Sequence, residues 1–68
     1  MTPTEYRKTI ARLGLSQVQA ARLLGVDDRT SRRWAKGDRD VPGPAVRFLR
    51  YLIATGTTGA DALKLIAD

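Results

Sequence analysis

Arg29, Arg32, Arg33 and Lys36 fall within eight consecutive residues, and they are the side chains of this chain best suited to recognition chemistry. A guanidinium presents paired donors in a fixed fork that matches the O6 and N7 acceptors of guanine in a DNA major groove. A lysine ammonium is a compact charge better suited to a phosphate. Arg29, Arg32 and Arg33 are therefore candidate base readers, and Lys36 and Arg39 candidate phosphate contacts. The same residues also have a plain reading as solvated cations on a surface helix, because charged side chains are mostly exposed in any protein. Surface helices usually mix signs and place Glu ahead of Lys or Arg, whereas these four cations meet only Asp28 at the start of their segment.

The spacing puts them on one side of a helix. Asp27 is a strong N-cap type and Gly37 falls where a C-terminal cap belongs, which predicts a helix over Asp28 to Lys36. At about 100° per residue, Trp34, Thr30 and Ser31 cluster together, and Asp28, Arg32, Lys36, Arg29 and Arg33 fill the opposite arc. One face docks and the other stays wet. Trp34 is expected in the core, with base stacking as the alternative. Asp28 has two open roles: support of the positive helix start, or acceptance from a cytosine amino group.

The preceding segment must position that helix. Ser16 with Gln19 forms a capping box that starts a helix at Gln17, and Gly25 after Leu24 supplies a left-handed stop. Ala20, Ala21, Leu23 and Leu24 make its apolar side, and the adjacent alanines let another backbone come close. The predicted geometry is a sharp helix-turn-helix.

Taken together, Leu13-Gly14-Leu15-Ser16-Gln17, the Ala20-Ala21 pair, Leu24-Gly25-Val26, Arg29-Thr30, Arg33-Trp34, Gly37 and Arg39 before Pro42 resemble the Xre/Cro type of phage and bacterial repressor DNA-binding domains. The match covers about two-thirds of the chain and is fairly specific, since the glycine, alanine and capping positions agree jointly. The resemblance implies an all-α, compact five-helix phage-repressor-like helix-turn-helix domain over residues 1–68, with the motif at about 16–36. It implies sequence-specific binding of double-stranded DNA by a recognition helix in the major groove, in a transcriptional regulator that is a repressor or antitoxin-like. In that scheme Asp28, Arg29, Thr30, Arg32 and Arg33 meet base edges, while Ser16, Gln17 and Lys36 meet phosphates. The chain departs from the family where many members pair a first-helix arginine with a glutamate late in the recognition helix. Ile10 and Ala35 stand at those positions, an ion pair replaced by apolar packing.

Composition narrows the alternatives. With 68 residues the chain is expected to form one domain, and the absence of cysteine and histidine excludes disulfides, zinc fingers and Cys/His nucleophile arrangements. The acids are Glu5, Asp27, Asp28, Asp38, Asp40, Asp61 and Asp68, mostly at predicted caps or in loops, so neither an enzyme nor a bound cofactor is expected. The apolar run Tyr51 to Ala54 is far too short to span a membrane and no hydrophobic signal core opens the chain, which makes a cytoplasmic location the expectation. The net charge of +5 is spread along the sequence, so the geometry of one helix face matters more than any basic tail. The competing class is a helical protein-interaction module whose basic face binds an acidic partner.

Supporting helices account for the rest. Thr2-Pro3-Thr4-Glu5 is a capping box with proline at the first helical position, and Tyr6, Ile10 and Leu13 repeat at helical spacing. Pro44 is expected to open a helix to about Thr55, burying Ala45, Val46, Phe48, Leu49, Leu52 and Ile53. Arg47 and Arg50 lie opposite, facing solvent or a phosphate. Thr58 with Asp61 signals a last helix carrying Leu63 and Ile66, whose apolar edge closes the core or meets a second copy. A homodimer would set two recognition helices about 34 Å apart on a pseudo-palindromic site.

Overall fold

Four of the five helices begin where the sequence supplies a side-chain acceptor for an orphan backbone N–H. The structure, a computed structural model, describes residues 1–66; Asp68, counted above among the acids, lies outside them. The helices are α1 (Pro3–Arg12), α2 (Gln17–Leu24), α3 (Asp28–Lys36), α4 (Gly43–Thr55) and α5 (Gly59–Ile66), with no strand among the described residues. Both predicted capping boxes close: Thr2 accepts from the Glu5 N–H at 3.1 Å and its own N–H reaches Glu5 Oε1 at 3.0 Å, and Ser16 and Gln19 do the same at 3.1 and 2.9 Å. Asp27 accepts from the Thr30 N–H at 2.7 Å, and Thr58 from the Asp61 N–H at 3.1 Å. The exception is α4, which starts at Gly43, one residue before the expected Pro44, with Pro42 at the N-cap and no side-chain cap. Proline in the first turn removes one orphan donor and fixes a helical φ, which offsets the missing acceptor.

One apolar cluster joins all five helices. It draws on Tyr6 and Ile10 of α1, Ala20 and Leu23 of α2, Trp34 and Ala35 of α3, Val46, Leu49 and Leu52 of α4, and Ala62 of α5. The Cα radius of gyration is 10.6 Å, against about 11 Å for a close-packed chain of this length. Between α2 and α3 the chain turns through Gly25, whose φ of 71° suits a residue without Cβ. Val26 N–H then returns to the Ala21 carbonyl at 3.0 Å, and Ala20 and Ala21 are fully buried where the two helices close on each other.

The last helix closes the core only in part through its expected apolar edge, Leu63 packing against the cluster while Ile66 stays exposed. Ile66 is 56% exposed and its neighbour Leu65 79%, with Leu63 only half-buried; the residues α5 buries are Gly59 and Ala62. Small side chains do the work because α5 meets the α1–α2 loop at backbone distance, Gly59 N–H donating to the Leu13 carbonyl at 2.8 Å. A Cβ on Gly59 would lie 2.7 Å from that carbonyl oxygen and collide with the Leu15 side chain. Gly59→Ala is therefore expected to destabilise the fold by about 1–3 kcal/mol through overpacking, read as a lowered denaturant midpoint with unchanged slope. An unchanged midpoint would mean that the loop yields freely.

Candidate nucleic-acid interface

α3 is held from behind and open in front. Its buried residues are Ser31, Trp34 and Ala35, and on the opposite side Asp28, Arg29, Arg32 and Lys36 are exposed and Arg33 half-exposed. Asp27, Asp28, Arg29, Arg32, Arg33, Lys36 and Asp38 line a shallow open hollow along this front. The three arginines and the lysine are thus brought together as the spacing predicts. Thr30 stands apart from them, half-buried on a shoulder of the helix, and it does not line the hollow. Its place on the docking side is taken by Ala35, 3% exposed.

The hollow is less positive than the sequence implied. Four cations face three carboxylates, Asp27, Asp28 and Asp38, a net of +1, where the helix segment by itself predicts Asp28 alone. Asp38 was missed because it belongs to the loop. Gly37 takes a φ of 90° and turns the chain back, so that the N–H groups of Gly37 and Asp38 both donate to the Arg33 carbonyl at 2.9 Å. Bulk attraction is accordingly modest, and what the face offers an anion is the direction of its guanidinium donors.

Behind the helix the fit is dry. Ser31 is fully buried and its hydroxyl shares a 2.6 Å hydrogen bond with the Tyr6 hydroxyl, which satisfies both groups inside the core. Burial pushes the Tyr6 phenol above its ordinary range, partly offset by that bond. The Tyr6 and Trp34 rings meet edge to face, centroids 5.8 Å apart at 83°. Trp34 is 4% exposed, which removes it from base stacking and makes it the anchor of α3. Pro3 completes the seat: a Cβ on Gly37 would lie 2.9 Å from Pro3 Cγ. Sequence reading missed the Tyr6–Ser31 pair, although a serine on a docking face is itself a signal, since a buried hydroxyl needs a partner.

The other candidates fall into separate places. Ser16 and Gln17 stand at the start of α2, outside the hollow, with the Ser16 oxygen committed as acceptor to its cap. Arg39 is exposed in the loop after α3 and also lies outside the hollow. Arg47 and Arg50 are exposed on α4 and do not line the hollow; Arg50 acts electrostatically on Glu5. Ile10 and Ala35 are both buried in the core cluster, as apolar packing requires. Arg7, which drew no attention in the sequence, reaches across from α1 and donates from Nη1 to the Ala35 carbonyl.

Two of the caps tie the stability of the fold to pH. Asp27 is held below its ordinary 3.8, first by the Thr30 side chain and then by the Thr30 N–H, and Glu5 below its ordinary 4.5 by the Thr2 N–H and then the Thr2 hydroxyl. Both values are depressed on folding, so the stability they contribute is present above the unfolded values and disappears as pH falls through the folded ones. The melting midpoint is expected to stay level from pH 7 to about 5 and to drop below about 4.5. Asp27→Asn, which keeps an acceptor but cannot titrate, should flatten part of that drop. A midpoint already falling at about pH 6 would contradict this, since the chain has no histidine.

Among the described residues there is no cluster of acids able to hold a metal ion, and no helix is long and apolar enough to cross a membrane. Compared with protein-family models, curated proteins and solved structures, the chain matches none.

Proposed function

We propose that the chain binds double-stranded DNA sequence-specifically, with α3 as the recognition helix of a helix-turn-helix formed by α2 and α3, in a transcriptional regulator of the repressor or antitoxin-like kind. The observation that carries this reading is the two-sidedness of α3: Trp34 and Ser31 seal its back, and Arg29, Arg32, Arg33 and Lys36 project from its front. An α-helix with side chains is about 10–12 Å across and the major groove about 12 Å wide, so a helix presented this way fits the groove with its guanidinium groups at the base edges. Arg29, Arg32 and Arg33 read bases in this arrangement, with Asp28 available to a cytosine amino group. Lys36 and Arg39, with Ser16 and Gln17 at the start of α2, hold phosphates. Thr30, on its shoulder, is the weakest of the base contacts.

Selection of sites from a random duplex pool at two salt concentrations tests this directly. An enriched motif is expected, and half-sites about one helical turn apart would mark two copies acting together. A pool that never departs from random, with capture of acidic proteins instead, would replace the reading by that of a protein-interaction module.

A further inference from the structure

The contacts that seat α3 are unequally placed around its axis. Tyr6 meets Ser31 and Trp34 on the buried arc, a hydroxyl pair with the first and an edge-to-face ring contact with the second. Ala35 lies at the edge of that arc, beside Arg32 and Asp28 at about 100° per residue. There the Arg7 guanidinium grips the Ala35 carbonyl, one of the last four of α3 that lack an intrahelical partner. The guanidinium is itself braced, its Nη2 donating to Thr4 Oγ1 at 3.2 Å. Its charge sits at the negative end of the α3 dipole and is spent on a neutral carbonyl, so it adds a directed hold without placing a carboxylate near the hollow.

We propose that Arg7 is a positioning residue for the reading face: by holding the Ala35 carbonyl it sets the roll of the last turn of α3, and so governs base discrimination without touching a base. The inference rests on the DNA-binding reading above and deepens it. A roll of α3 swings Arg32, Arg33 and Lys36 together, and bidentate contacts to base edges tolerate little misplacement. Contacts to phosphates through single charges tolerate more. Loss of the hold therefore falls on preference between sequences rather than on affinity for duplex in general.

The test compares affinity for the duplex enriched by selection with affinity for a scrambled duplex of equal length, over a range of salt. Arg7→Met is expected to lose about tenfold in the ratio of the two affinities, the equivalent of one hydrogen bond to a charged group. Arg7→Lys should regain most of the ratio, because its ammonium still donates to the carbonyl. Thr4→Val, which loosens the brace and leaves the charge in place, should lose about twofold in the ratio with an unchanged salt slope. Thermal melts accompany each variant, and Thr4→Val carries the test should Arg7→Met unfold. Equal losses on both duplexes, with the salt slope of Arg7→Met reduced by about one phosphate, would make Arg7 a backbone contact and overturn the proposal. So would a ratio unchanged in Arg7→Met and Thr4→Val. A wild-type protein with no preference for any duplex sinks the DNA-binding reading itself, whereas a preference kept by every variant sinks only the role of Arg7.

Discussion

Trp34→Ala is expected to leave most of the chain unfolded at physiological temperature. The indole is buried at the junction of α1 and α3, edge to face with Tyr6, in the one cluster that joins all five helices. Truncating such a side chain costs about 3–5 kcal/mol, from lost transfer free energy and the cavity left behind. A chain of 68 residues has a total stability of about 3–10 kcal/mol at ordinary values per residue. The loss is therefore comparable with the whole. Circular dichroism through a thermal melt would show it, and Trp34→Phe, which refills part of the volume, should recover a cooperative transition. A midpoint for Trp34→Ala within a few degrees of wild type would mean that α3 is anchored elsewhere.

Arg33→Ala is expected to weaken binding to the selected duplex by about 1–3 kcal/mol and to relax preference at one position of the motif, with Arg29→Ala doing the same at another. Lys36→Ala should act differently, weakening all duplexes alike and lowering the slope of log affinity against log salt by about 0.9. Arg29 and Lys36 are exposed and Arg33 half-exposed, on the side of α3 away from the core, so these substitutions should barely move the melting midpoint. Titrations of labelled duplex at several salt concentrations separate the two behaviours. A flat salt response, or unchanged affinity in both arginine variants, would remove α3 from the groove.

The parts of this architecture written in local sequence were legible in advance. The starts of α1, α2 and α3 follow from caps, because Thr2, Ser16 and Asp27 act on N–H groups only three residues away. The sidedness of α3 was legible for the same reason, since helical spacing alone sets the arginines opposite Trp34. What escaped depends on where distant segments meet. Gly59 and Ala62 carry no apolar signal, yet they decide how α5 docks, because the space above Leu13 and Leu15 admits nothing larger at Gly59. Asp38 enters the hollow through the reversal at Gly37, and Arg7 finds Ala35 only once α1 lies across the end of α3. Thr30 was assigned to two sides at once by the sequence, and its half-buried shoulder position shows why: it sits on the border between them.

The hydroxyl pair of Tyr6 and Ser31 has a bearing on how this chain can diverge. Replacing either alone strands the other in a dry interior, at about 1–3 kcal/mol, while replacing both with apolar groups of like shape is close to neutral. Two positions 25 residues apart are thus coupled in energy, and the cost of losing one hydroxyl is largely recovered by losing its mate. Drift in the first helix is thereby tethered to the element that faces outward, even though Tyr6 itself never reaches the surface.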